Sequence, residues 1–151
     1  MIFNGIDEQI VEFKITNYQY PDIISGDWDG NWLLIYLNVK SNVGHWQTID
    51  PSLTTWEIKQ LIEWFADLSN NKKLKYKLLD FTEPNLSFEH IGFNGNKCII
   101  RLRFALESRP QSAVEDKEYF VDFEYNTNEI KQIVIDLTNE LKKFPERKGK
   151  E

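Results

Sequence analysis

The sequence predicts an α+β domain in which a mainly antiparallel sheet of about six to seven strands packs against two amphipathic helices, one mid-chain and one C-terminal. Two segments begin with a helix-start signal and continue with apolar residues at helical spacing. Most of the remaining segments alternate apolar and polar residues with a period of two. Short turn sequences separate neighbouring alternating segments, which is typical of antiparallel pairing.

The mid-chain helix is predicted to begin after Thr54 and to extend to Leu68. Thr54 and Glu57 have the spacing of a capping box, in which each side chain accepts a hydrogen bond from the backbone N–H of the other residue. Leu53 and Ile58 have the spacing of a hydrophobic staple. The wide apolar side of this helix also carries two tryptophans, so we expect it to cover a large apolar surface.

The predicted strands share a period-two alternation and are bounded by Gly, Pro, Asn or Asp. They cover residues 8–18, 31–40, 45–49, 74–82, 86–93, 98–107 and 118–125. Asn94 and Gly95 predict a two-residue type I′ hairpin turn, because both central positions of that turn need positive φ.

The C-terminal helix has Asn126 as its predicted N-cap, with Glu129 at capping-box spacing. Lys142 and Lys143 suit the negative end of its dipole, and Pro145 ends it. The prediction is therefore one domain over residues 1–145, followed by a polar and loosely held tail at 146–151.

Composition excludes several classes of protein. The single cysteine, Cys98, excludes an intramolecular disulfide framework and fits a reducing compartment. The N-terminal segment lacks the features of a signal peptide, and no apolar run is long enough to span a membrane. We therefore expect a cytoplasmic protein without a membrane anchor.

The sequence offers no recognisable catalytic or cofactor-binding constellation. Asp27, Asp29 and Asn31 resemble the start of a calcium loop, but Trp32 and Asn38 occupy the positions where that loop needs Gly and Glu. His45 and His90 have no Cys or His neighbours at ligand spacing. A phosphate-binding loop and a nucleophile elbow are also missing. We predict no enzyme activity, no cofactor and no metal.

Charge is the remaining signal. The 24 acidic and 18 basic residues give a net charge of −6, which argues against nucleic acid as a direct ligand and suits a partner protein with a basic surface. Two stretches concentrate carboxylates, although an ordinary solvated surface would look the same in sequence. The candidate partner-binding residues, chosen from charge alone, are Asp22, Asp27, Asp29, Glu115, Asp116 and Glu118.

Five blocks of the sequence together resemble the WapI-family immunity proteins, which neutralise toxins of WapA-like polymorphic systems. The blocks occur in the order of that family, at residues 18–22, 27–33, 50–57, 83–88 and 106–110. The resemblance implies a small cytoplasmic protein that binds the C-terminal domain of a cognate toxin without catalysis. In such systems the toxin is often a nuclease. We expect a monomer or a small homo-oligomer.

Two other functions stay open at this point. The first is a small ligand-binding protein or enzyme with a pocket between helix and sheet, near Glu83, His90 and Arg101. The second is an interaction module with no toxin partner. A deep pocket with converging carboxylates would favour the first of these.

Overall fold

The computed structural model describes residues 1–149. The strands are β1 (Ile2–Asn4), β2 (Ile10–Tyr18), β3 (Trp32–Ser41), β4 (Gly44–Thr54), β5 (Leu78–Leu79), β6 (Leu86–Asn94), β7 (Lys97–Phe104) and β8 (Tyr119–Tyr125). The α-helices are the short α1 (Trp28–Asn31) and the long α2 (Thr55–Ser69) and α3 (Thr127–Lys143). Short 3₁₀ turns lie at Ile6–Glu8 and Leu106–Ser108.

Within this described part of the chain the strands form two four-stranded sheets. The first has the order β1-β2-β3-β4 and the second β5-β6-β7-β8, and all neighbours are antiparallel. The predicted α+β class, with antiparallel strands and two long helices, is confirmed. The sequence did not indicate that eight strands would divide between two sheets, since strand alternation does not reveal which strands pair.

Both predicted capping boxes are present. The Thr54 N–H donates to Glu57 Oε2 at 2.8 Å, and the Glu57 N–H donates to Thr54 Oγ1 at 3.2 Å. The other oxygen of Glu57 accepts from the Thr82 N–H at 2.8 Å. Glu57 is only 6% exposed, so this one carboxylate both begins α2 and fixes the segment that leads into β6.

Two strand predictions differ most from the structure in their extent, and β1 was not predicted. Residues 74–82 form only the two-residue β5, because Leu79 is the one residue there that is buried and Tyr76 is exposed. The predicted strand at 45–49 continues to Thr54 as β4, and Pro51 is tolerated because β4 is an edge strand. β1 is too short to show an alternating pattern.

The predicted hairpin turn is present but lies one residue further along. Asn94 pairs with Lys97, so the central residues are Gly95 and Asn96. Gly95 has φ of 60°, whereas Asn96 does not have positive φ. Glycine at the first of two central positions is typical of a type II′ turn, which needs positive φ only there.

The two sheets and α2 share one apolar core, and Phe3 lies at its centre. The Phe3 ring centroid is 6.3 Å from that of Phe13 on β2, 6.2 Å from Phe65 on α2, 6.1 Å from Phe88 on β6 and 5.4 Å from Phe123 on β8. All five rings are fully buried. Residues from both sheets and α2 therefore meet around a side chain that β1 supplies.

We predict that Glu57→Ala lowers the free energy of unfolding by about 1–3 kcal/mol, because it removes the cap of α2 and the hydrogen bond that the buried carboxylate accepts from the Thr82 N–H. Urea denaturation measures this change. Glu63→Ala removes an exposed carboxylate from the same helix and should change stability by less than about 0.5 kcal/mol. Equal stability of the two variants would contradict the role given to Glu57.

Candidate interaction surface

The segment between β2 and β3, residues 20–31, carries an unusual combination of exposed side chains, and we call it the acidic loop. Asp22, Asp27 and Asp29 are all exposed. Four large apolar side chains, an unusually large number for one loop, are exposed beside them. They are Tyr20, Ile23, Ile24 and Trp28. The loop therefore presents carboxylates and apolar surface together.

A residue distant in sequence holds the acidic loop in one shape. The guanidinium of Arg147 donates hydrogen bonds to the backbone carbonyls of Tyr20 at 3.1 Å and of Pro21 at 2.8 Å, and also to that of Ile23. The same guanidinium lies 3.5 Å from the centre of the Tyr18 ring, a cation–π contact. These contacts join the loop to the residues that follow α3, although the sequence separates them by more than 120 residues.

Asn31 fixes the end of the acidic loop and is fully buried. Its amide nitrogen donates to the carbonyls of Asp27 at 2.9 Å and Arg147 at 3.0 Å. Its amide oxygen accepts from the Thr55 hydroxyl at 2.8 Å and from the Arg147 N–H at 2.9 Å. All hydrogen-bonding capacity of this side chain is used, so Asn31 has a structural role.

Asp27 has a structural role as well, since it is the N-cap of α1 and accepts from the Gly30 N–H at 3.3 Å. Hydrogen bonds from the Ser25 hydroxyl and from Gly30 lower the pKa of the Asp27 carboxyl. A Cβ at position 30 would lie 1.9 Å from the Ser25 carbonyl oxygen, so only glycine fits there. Within residues 1–149 no group of His, Cys, Asp or Glu could hold a metal ion. The acidic residues whose spacing resembles a calcium loop therefore form the cap and the turn of α1.

Three indole rings extend the surface of the loop, and we call them the tryptophan cluster: Trp28, Trp32 and Trp56. The Trp28 ring centroid is 5.8 Å from that of Trp32 and 5.3 Å from that of Trp56. The indole N–H of Trp56 donates to Glu146 at 2.9 Å, which orients that ring. Trp28 is 50% exposed and is the most accessible of the three. The cluster is thus a fixed aromatic platform beside the three aspartates.

The other predicted binding residues, Glu115, Asp116 and Glu118, are exposed but lie elsewhere. They precede Tyr119, whose ring centroid is 6.0 Å from that of Trp46 on β4. The acidic loop, in contrast, adjoins the far end of β4, where Trp32 pairs with Thr54. Eight residues of extended strand separate these two ends of β4, which corresponds to roughly 25 Å. The structure thus places three of the six residues in one loop and three at a separate position.

We call Glu115, Asp116 and Glu118 the second acidic region, and an ion pair partly neutralises it. Arg103 pairs with Glu118 at 2.5 Å and with Glu89 at 2.7 Å. Arg101 binds both oxygens of Asp122, at 2.8 and 3.0 Å, and this hydrogen bonding raises the pKa of the Arg101 guanidinium. Among the acidic residues predicted to bind a partner, only Glu118 has an ion-pair partner within residues 1–149.

The pocket suggested for a small-molecule function does not contain all of its predicted residues. His90 lines a cleft of about 420 Å³ at the C-terminal end of α2, together with Cys98. Arg101 instead forms the ion pair with Asp122. Glu83 lies near Asp50, whose carboxyl pKa is raised mainly by burial and to a smaller extent by the charges of Glu107 and Glu83. Burial also raises the pKa of the Cys98 thiol, which disfavours the nucleophilic thiolate form. Converging carboxylates are absent from the residues that line this cleft.

Several features of the acidic loop were not found from the sequence. The charge pattern identified the aspartates, but the tryptophan cluster and the contacts of Arg147 depend on segments far apart in sequence. One signal was available: Ile23, Ile24 and Trp28 are large apolar residues in a segment without strand or helix periodicity. Such residues in a loop indicate either a local core or an exposed contact surface.

The comparisons with known proteins give one match. The model for the family described as Immunity protein WapI-like family matches residues 1–145. No curated protein and no solved structure matches the chain. Separately, none of the helices within residues 1–149 is long and apolar enough to cross a membrane.

We predict that Arg147→Ala loosens the acidic loop without unfolding the domain, because three backbone carbonyls of the loop lose their donor. Hydrogen–deuterium exchange of amides in residues 23–30 should accelerate about tenfold or more. Arg109→Ala is the matched control, since Arg109 donates only to the Leu106 carbonyl in another loop. Unchanged exchange at residues 23–30 in Arg147→Ala would show that the loop keeps its shape without this contact.

Proposed function

The chain belongs to the WapI-like immunity protein family, and we propose that it neutralises a cognate bacterial toxin domain by forming a stoichiometric, non-catalytic complex with it. The observation that supports this mechanism best is the acidic loop, an exposed and internally bonded surface that combines carboxylates with indole rings. We further propose that the partner is the C-terminal domain of the toxin and that it is a nuclease.

A nuclease is the partner class that best matches the charge of the loop. An enzyme that binds a phosphate backbone needs a basic surface, and an acidic protein can cover that surface in place of the nucleic acid. Asp22, Asp27 and Asp29 form no ion pair within residues 1–149, so their charges are available to a partner. Hydrogen bonds from Ser25 and Gly30 move the pKa of the Asp27 carboxyl further below neutral pH.

The tryptophan cluster supplies the apolar part of the proposed interface. Tryptophan is among the residues that contribute most to binding energy when a partner buries them, provided that surrounding contacts exclude water. Trp28 is half exposed and already held against two other indoles, so little side-chain entropy is lost when a partner covers it. We therefore assign Trp28 as the anchor of the interface.

The second acidic region has a smaller role in this proposal. Glu115, Asp116 and Glu118 lie roughly 25 Å from the acidic loop along β4. An interface of standard size covers about 800 Å² on each partner, so both regions fit into one interface only at its edges. Since Arg103 already pairs with Glu118, we propose that this region contributes to long-range attraction more than to contacts.

The proposed place of action is the cytoplasm of the toxin-producing cell. A single buried thiol without a disulfide partner suits a reducing compartment. We propose that each chain binds one toxin domain, because each chain presents one acidic loop.

Charge reversal at the acidic loop tests the electrostatic part of the proposal. We predict that the double variant Asp22→Lys/Asp29→Lys lowers affinity for the cognate toxin domain about 10- to 100-fold, mainly through a slower association rate that depends on salt. Surface plasmon resonance at several salt concentrations measures both rates. Asp22 and Asp29 are preferred over Asp27, whose substitution would also remove the cap of α1.

The control for charge reversal is Glu63→Lys/Asp80→Lys, which makes the same change in net charge at exposed positions outside the acidic loop. This variant should keep nearly the full association rate. If the control loses as much affinity as the loop variant, the effect belongs to overall charge and the assignment of the loop is wrong.

The aromatic part of the proposal is tested with Trp28→Ala. We predict a loss of about 2–4 kcal/mol of binding free energy, seen mainly as faster dissociation, and loss of protection when the variant is co-expressed with the toxin. Tyr76→Ala removes a similarly exposed aromatic ring from another surface and should leave binding and protection unchanged. Full protection by Trp28→Ala would move the interface away from the tryptophan cluster.

A further inference from the structure

A cleft at the C-terminal end of α2 collects positive charge in this acidic protein. It lies between the residues that follow α2 and the β6–β7 hairpin, and its volume is about 420 Å³. Lys72, Lys73 and Lys77 line it, and no acidic residue does. None of the three lysines forms an ion pair within the described chain. No ion pair within residues 1–149 therefore neutralises the ammonium groups of the cleft.

The segment that supplies these lysines is basic throughout. Residues 72–77 contain four lysines, and no Asp or Glu occurs between Asp67 and Asp80. A run of like charges without local partners repels itself and lowers the stability of the segment that carries it. An anion bound in the cleft would remove that repulsion.

His90 contributes an imidazole to the lining of the cleft. Its Nε2 atom is buried and has no hydrogen-bond partner. The ring lines the cleft from β6, next to a register shift between His90 and Gly92 in the pairing with β7. Such bulges often re-aim a side chain beside a functional site. Desolvation, together with the charge of Lys77, lowers the pKa of this imidazole, although a hydrogen bond to the Gly92 backbone opposes the shift.

The mouth of the cleft also carries an aromatic ring. Phe93 is 66% exposed, and its ring centroid is 4.8 Å from that of His90 in an edge-to-face arrangement. Leu68 and Cys98 contribute apolar surface to the interior. An exposed aromatic face beside an ammonium cluster is typical of sites that stack a planar ring and bind its attached phosphate.

We propose that this cleft binds a small phosphate-bearing molecule with an aromatic base, of which a nucleoside monophosphate is the simplest example. Three ammonium groups match a doubly charged phosphate better than a singly charged carboxylate. The volume is within the range of sites for small molecules. The phosphate contacts the lysines, and the base stacks on Phe93 beside the His90 ring. This proposal does not depend on the toxin-binding function.

Titration of the ¹⁵N-labelled protein with AMP, followed by NMR, tests the proposal. We expect saturable shifts of amides in residues 72–77 and 90–98, weaker shifts with inorganic phosphate, and the weakest shifts with adenosine. The pKa of the His90 imidazole should rise when AMP is bound, because the phosphate charge favours the protonated ring. The ring signals of His45, which is hydrogen-bonded to Asn38 in the first sheet, provide an internal reference that AMP should not shift.

Substitutions separate the two halves of the proposed ligand. Lys73→Glu and Lys77→Glu should each weaken AMP binding about tenfold or more, whereas Lys131→Glu, the same charge change at an exposed site on α3, should have less than about a twofold effect. Phe93→Ala should weaken AMP binding but leave the binding of inorganic phosphate unchanged. All of these positions are exposed, so each variant is expected to fold, and its NMR spectrum verifies this.

Two results would overturn the proposal. One is the absence of saturable shifts in the cleft at about 10 mM AMP, which exceeds the concentration needed to detect even millimolar affinity. The other is an equal loss of binding in Lys131→Glu and in the cleft variants, which would mean that AMP responds only to overall charge.

Discussion

The packing around Phe3 is the constraint on which the rest of this structure depends. Each sheet and each long helix has one apolar face that must be covered, and here these faces meet in a single core. Phe3 contacts aromatic rings from β2, α2, β6 and β8, so a three-residue strand supplies the side chain that fills the space between the two sheets. Close packing of this kind tolerates little change in volume. The inward faces are therefore committed to folding, and partner recognition is left to loops and outward faces.

The sequence blocks that resemble the immunity family occupy the joints of this arrangement. Asn31 joins the acidic loop to α2 and to Arg147. Asn85 donates to Asp50 at 2.8 Å, which joins the start of β6 to β4. The Ser108 carbonyl accepts from the Trp46 indole at 2.9 Å and joins the same strand to the segment after β7. The roles of these residues follow from the fold and do not depend on a partner. Other residues of these blocks are exposed, and Trp28 is the one with the largest accessible aromatic side chain.

Local sequence signals predicted the helices well and the pairing of strands poorly, for physical reasons. A capping box is a contact over three residues, so Thr54 and Asn126 could be identified as N-caps directly. The division into two sheets depends on contacts between distant segments, and alternation carries no information about them. The same limit applied to the surface. Charge located Asp22, Asp27 and Asp29, but only the fold revealed that Arg147 holds their loop and that Glu115 and Asp116 lie elsewhere.

The net charge of −6 conceals a separation of charge along α2. Trp56 in its first turn contacts Trp28 of the acidic loop, and the lysines of the cleft follow its last turn. A helix of 15 residues is about 22 Å long, so the two surfaces lie too far apart to share one small ligand. The electrostatic interaction with the α2 dipole is also favourable, because carboxylates lie near the positive end of the dipole and ammonium groups near its negative end. One helix thus supports two surfaces of opposite charge, and the two proposed ligands would bind without contact with each other.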